Sequence, residues 1–317
     1  MFSNRREKRY QILYFGIGSL ILLVIGFSIW HAHQQQVQQI NHRYINASTP
    51  TLFVHGWSGT LRSEHRVVNA AESSGAASRR MIIRVSATGN VHVVGTVKKW
   101  MRNPIIMVKM ANNRAGEFQY AHWITKICKI LKRRYHVNRL NFIGHSMGAY
   151  AVVYYNLLNG NRSDLPRVNK LCLIAGPYDG IMDLHRANQP TFGPLVKLWD
   201  DAPNENRILP TGRPAIIHPE YRRLYRLRNR FPRQAKVLNI YGNIGDGSNS
   251  DGVVTNVSAL SLGYLLRGRV TSYQTFETFG MKAQHSELHQ HNLAVDRELI
   301  HFLWGKQHQD SSLSELN

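Results

Sequence analysis

The stretch Asn141-Phe142-Ile143-Gly144-His145-Ser146-Met147-Gly148 decides how this chain is read, because an apolar run ends there in G-x-S-x-G and an apolar helical pattern begins. A serine at a sharp strand-to-helix turn takes up strained dihedrals and projects its hydroxyl. Its neighbours must be small for strand and helix to approach, and Gly144 and Gly148 meet that need. The helix N-terminus that follows offers the Met147 N–H to a developing oxyanion.

Upstream, Leu52-Phe53-Val54-His55-Gly56-Trp57-Ser58-Gly59 ends another apolar run in His-Gly. A second oxyanion donor is expected from such a loop, here the Trp57 N–H, with Gly56 and Gly59 letting the backbone bend and His55 bracing it. A serine hydroxyl also needs a base held by an acid, in the chain order Ser, acid, His. Asp251, after the apolar run 236–241, is the expected acid, and His285, after 270–276, the expected base. Asp246 competes as the acid, with Asp251 then capping the next helix; His289 and His291 compete as the base, but read as surface or capping residues.

No metal and no cofactor is expected. His285, Glu287, His289 and His291 lack the H-E-x-x-H order of metalloproteases, and the loop from Asp246 has Val257 where a calcium loop needs Glu. Cys128 and Cys172 cannot make a disulfide framework and read as buried apolar residues.

Working outward, short β-branched runs alternate with longer amphipathic ones, which predicts an α/β domain with a largely parallel sheet. Strands are expected at 51–54, 81–85, 91–97, 105–110, 139–143, 170–175, 236–241 and 270–276, and helices at 117–135, 147–158, 256–266 and 293–304. The stretch 178–232 carries seven prolines and is expected to be an insertion over one end of the sheet, with Phe192, Leu195, Leu198 and Trp199 shaping an apolar acyl pocket or lid. Its second half, Tyr221 to Arg233, interleaves six arginines with apolar residues; on a helix that pattern is an apolar stripe with a charged outer face.

At the N-terminus, Ile12 to Trp30 are nineteen uncharged, mostly apolar residues, which as a helix would span roughly 28 Å. Arg5, Arg6, Lys8 and Arg9 precede them, so the positive-inside rule predicts a cytoplasmic N-terminus of residues 1–11, an anchor over 12–30 and an extracytoplasmic remainder. The segment ends Ser28-Ile29-Trp30-His31, without the small-x-small site of a cleaved signal, so an uncleaved anchor is expected; cleavage would release a secreted form. A polar linker over 31–48, the folded domain over 49–306 and a tail over 307–317 complete the expected layout.

Of 317 residues, 40 are Lys or Arg and 19 Asp or Glu, a net charge of +21; with 43% hydrophobic residues this excludes a wholly disordered basic protein. The expected partners are a small or lipid-like ester, the membrane, and anionic cell-wall polymers or lipid headgroups. Nucleic acid is not expected for an exterior domain.

Together, HGWSG, NPIIMV, GHSMG, IAGPYDG, SDGVV, AQHSELH and the terminal FLW make the chain, from about Thr49 to Trp304, resemble the alpha/beta-hydrolases of unassigned function from Gram-positive bacteria. These are cell-surface esterase- or lipase-like proteins first catalogued as a domain of unknown function. The resemblance implies the alpha/beta-hydrolase fold, Ser146 as nucleophile, Asp251 as acid and His285 as base. It does not account for the arginine-rich insertion.

Overall fold

The computed structural model describes residues 3–182 and 200–306 and divides the chain into two compact units, Met1–Ile45 and Asn46–Asn317. The first unit is one helix, α1 (Ser3–Arg43). Within it, Tyr14–Arg43 is long and apolar enough to cross a membrane, with large side chains such as Phe15, Leu22 and Leu23 exposed. The polar linker expected over 31–48 is helical as far as Arg43. Its glutamines are good helix formers, and no Gly or Pro interrupts the run before Pro50.

In the second unit, strands and helices alternate as β1 (Thr51–Val54), α2 (Leu61–Ser73), β2 (Ser78–Val85), β3 (Val91–Gly95), β4 (Pro104–Met110), α3 (Glu117–Tyr135), β5 (Arg139–His145), α4 (Met147–Asn159) and β6 (Arg167–Ile174). The insertion contributes α5 (Pro219–Leu227), and β7 (Lys236–Asn243), α6 (Asn256–Leu266), β8 (Ser272–Phe279), α7 (Glu287–Gln290) and α8 (Leu293–Trp304) complete the unit. The strands form one eight-stranded sheet in the order β3-β2-β4-β1-β5-β6-β7-β8. Every neighbouring pair is parallel except β2 with β3.

Central strands covered on both faces read as continuous apolar runs. Thr51–Val54 is buried at every position, whereas the edge strand β8 is mostly exposed or half-buried. In α3, Tyr120, Ile124, Ile127, Cys128 and Leu131 are buried at helical spacing, and its last turn carries Lys132, Arg133 and Arg134, where the helix dipole favours cations. Both cysteines are free and buried.

All eight expected strands form, with ends displaced by up to three residues. The helix α2 and the short α7 lie outside the expected helix ranges. α2 buries Val67, Val68 and Ala71 on one side, and its N-cap Thr60 makes a capping box with Ser63 rather than with the usual Glu or Gln. In the insertion, α5 buries Tyr221 and Leu224 and exposes Arg222, Arg223 and Arg226, the apolar stripe with a charged outer face expected there. The pocket residues Phe192, Leu195, Leu198 and Trp199 lie outside the described residues.

Candidate active site

Ser146 stands at the turn between β5 and α4 with φ 55° and ψ −126°, a left-handed conformation that a non-glycine residue adopts only at a cost of about 1–3 kcal/mol. The surrounding chain imposes it. A Cβ at Gly148 would strike the backbone carbonyls of Val54 and His55, and one at Gly144 would sit 2.7 Å from the Ala149 Cα. The first turn of α4 therefore rests directly against the end of β1.

That approach brings in the His-Gly loop, where a Cβ at Gly56 would lie 2.9 Å from the Ser146 Cβ. The loop is held in two ways. The Ser58 N–H donates to the Asn113 carbonyl at 2.9 Å, and Asn113 Nδ2 donates to the Gly59 carbonyl at 3.0 Å. His55 braces it from within: Nδ1–H donates to the Gly56 carbonyl at 2.9 Å, and Nε2 accepts from the Met110 N–H at 3.3 Å. Burial lowers its pKa, which keeps the ring in that neutral tautomer. Among the described residues, the N–H groups of Trp57 and Met147 donate to no other protein group. As the first residue of α4, Met147 has no intrahelical acceptor in any case.

From the far end of the sheet come the other two side chains. His285 Nε2 lies 2.9 Å from Ser146 Oγ, and His285 Nδ1 lies 2.8 Å from Asp251 Oδ2. Asp251 is 1% exposed, yet its second oxygen accepts from the Val253 N–H at 2.9 Å and the Val254 N–H at 2.7 Å. Those donors fix the plane of the carboxylate. The His285 N–H also donates to the Asp251 carbonyl at 2.9 Å, so backbone as well as side chain joins the two loops.

The competing residues lie elsewhere. Asp246 is exposed and accepts from the Ser248 N–H at 2.9 Å, and α6 is capped by Thr255 rather than by Asp251. His291 is exposed and paired with Glu287 at 2.9 Å. His289 corrects the expectation of a surface residue. It is buried, and its ring stacks on His145 with centroids 3.8 Å apart.

His145 and His289 form a platform behind His285 that sequence reasoning missed. His145 Nε2–H donates to the His285 carbonyl at 3.1 Å, and the rings of His145 and His285 are 4.8 Å apart. Burial, then the neighbouring imidazoles His289 and His285, pushes the His145 pKa well down. Burial first and His285 next bring His289 to about 3. Both rings are therefore neutral near pH 7 and add no positive charge beside His285. The available signal was the position of His145 inside the elbow and the four-residue step from His285 to His289.

The insertion after β6 is tied to the same acid loop. The Met182 N–H donates to the Val253 carbonyl at 2.9 Å, and Thr255 Oγ1 donates to Asp201 Oδ2 at 2.5 Å. Nearby, Asp179 accepts from the His218 N–H at 2.9 Å and from Asn206 Nδ2 at 3.2 Å; burial, with Asp201 close by, pushes its pKa up to about 7.

A comparison with curated proteins gives no match. Among solved structures, a Listeria innocua gene product is 20% identical, with a TM-score of 0.68 over 80% of this chain and 93% of that one. A proposed cell-surface hydrolase from Lactobacillus plantarum is 21% identical, with a TM-score of 0.59 over 80% of this chain and 88% of that one. Likeness at this identity speaks to the fold, and it is the fold described above. The model of the family described as alpha/beta hydrolase of unknown function (DUF915) matches residues 38–306, and the chain belongs to that family.

Proposed function

We propose that this protein is a serine hydrolase that cleaves carboxylic esters through an acyl-enzyme on Ser146. One observation carries the reading: a buried carboxylate, an imidazole and a strained serine stand in hydrogen-bonded line, at 2.8 and 2.9 Å, beside two N–H groups that have no protein acceptor among the described residues. In this reading His285 Nε2 takes the proton as Ser146 Oγ bonds to the ester carbonyl carbon. Asp251 holds the imidazole in the tautomer with Nε2 free and stabilises the imidazolium. The oxyanion is received by the Trp57 and Met147 N–H groups. Collapse of the tetrahedral intermediate breaks the carbon–oxygen bond, and His285 gives its proton to the leaving alkoxide. Water, deprotonated by His285, then attacks the acyl-enzyme and releases the acid with Ser146 restored.

The hydrolase domain is proposed to lie outside the cell on an uncleaved α1, since Arg5, Arg6, Lys8 and Arg9 precede the apolar segment. Covalent labelling by a fluorophosphonate probe tests the chemistry. Labelling of wild type but not of Ser146→Ala, with loss in His285→Ala, is expected. A folded wild type that never labels would instead favour a hydrolase scaffold retained to bind anionic polymers.

A further inference from the structure

Seven of the eight strands run in one direction, so their N-terminal ends share one end of the sheet and their C-terminal ends, with Ser146, share the other. The connections that deliver the chain to the N-terminal ends are 74–77, 96–103, 136–138, 160–166, 228–235 and 267–271. They hold nine Lys or Arg and a single carboxylate, Asp164, which is already paired with Arg162 at 2.7 Å. At the other end, the described connections 55–60, 86–90, 111–116, 175–182, 200–218, 244–255 and 280–286 hold four basic and six acidic residues. The charge of the domain is therefore sided.

Helix dipoles explain part of this, since cations gather at helix C-termini such as the end of α3. They do not explain Lys98 and Lys99, which follow a strand. Nor do they explain Trp100, which is 74% exposed between those lysines and Arg102 in the sequence, with Lys98 Nζ 5.9 Å from its ring centroid. An indole flanked by cations suits the boundary between water and lipid headgroups.

The chain also enters the domain at this end. The Asn103 N–H donates to the Ala47 carbonyl at 2.6 Å and the Asn141 N–H to the Pro50 carbonyl at 2.9 Å. Residues 48–50 share a groove with Lys98 and Lys99.

We propose that this basic, Trp100-bearing end of the sheet is a docking face for an anionic phospholipid bilayer. The charge is complementary, and the apolar helix that precedes the domain is joined to it at this end. One consequence concerns the substrate. β5 carries the chain across the sheet from Arg139 to His145, roughly 23 Å at about 3.3 Å per residue, before it reaches Ser146. A domain seated on its basic end turns Ser146 away from that bilayer, so its esters come from the solvent or wall side, not from lipids of the membrane beneath. This consequence rests on the serine-hydrolase reading; the docking face does not.

The test uses the full chain reconstituted in vesicles, with one fluorophore on Asn229→Cys at the basic end or on Asp246→Cys at the opposite end. Cys128 and Cys172 are buried, which leaves the introduced thiol as the reactive one. With a quencher on the lipid headgroups, position 229 should lose most of its fluorescence in phosphatidylglycerol vesicles and position 246 little. The difference should shrink in phosphatidylcholine, in high salt and in Lys98→Glu/Lys99→Glu/Arg230→Glu/Arg233→Glu. Equal or stronger quenching at 246, or quenching at 229 that neither salt nor charge reversal alters, overturns the proposal. So does a position 229 that stays bright in phosphatidylglycerol while soluble polyphosphate shields it. Sedimentation with phosphatidylcholine vesicles reports membrane insertion of α1 separately, and fluorophosphonate labelling reports the serine.

Discussion

The two ends of this sheet obey different rules. At the C-terminal ends of the strands the backbone is strained, polar groups are buried and paired, and single atoms exclude alternatives: a Cβ on Gly148 has no room. At the N-terminal ends the charged side chains are almost all basic, and Lys98, Lys99, Arg230 and Arg233 among them are long and exposed. The difference teaches that geometry at one end and net charge at the other are separable properties of one fold. Substitutions at the first should act on chemistry through position, and at the second on association through charge.

The largest effect should come from the hydrogen-bonded line itself. Ser146→Ala or His285→Ala should lower kcat on a chromogenic ester by roughly 10⁴–10⁶-fold while circular dichroism is unchanged. Next, Asp251→Asn should cost about 10³–10⁴-fold, because the amide selects the wrong imidazole tautomer. Asp246→Asn, five residues away on the exposed part of the same loop, should leave kcat/KM within about twofold, a contrast that steady-state kinetics resolves.

Behind the line, His145→Leu removes the donor to the His285 carbonyl and should cost about 1–3 kcal/mol in denaturant unfolding, besides lowering kcat.

A smaller effect is linked to pH. Asp179 holds its proton to about 7 when folded, against about 3.9 when unfolded. Between those values the folded state binds more protons, so this group makes stability fall as pH rises from 4 to 7, with the penalty fully present above 7. Urea unfolding at pH 5 and pH 8 should show a smaller loss with pH in Asp179→Asn than in wild type. Least affected should be Lys98→Glu/Lys99→Glu, with stability within about 0.5 kcal/mol of wild type and unchanged turnover of a small neutral ester.

Much of the architecture was legible because parallel strands buried on both faces leave continuous apolar runs, and because the elbow needs small residues at fixed steps. The Ser146, Asp251 and His285 positions followed from chain order and from the strands they succeed. The rest depends on contacts between distant segments. The four-residue step from His285 to His289 does not by itself show that His289 turns inward, since the ring it stacks on, His145, is more than a hundred residues earlier. α2 escaped notice because Arg62, Glu64, His65 and Arg66 dilute its apolar face and its capping box uses serine. The linker over 31–48 is polar, and polarity without Gly or Pro is compatible with helix.

Mass spectrometry of the protein quenched within the first turnover of a p-nitrophenyl ester tests the central claim most directly. The account predicts a burst of about one nitrophenol per chain and an acyl adduct on the peptide bearing Ser146, both absent in Ser146→Ala. Turnover with no adduct, an adduct on another residue, or a burst that survives Ser146→Ala would contradict it.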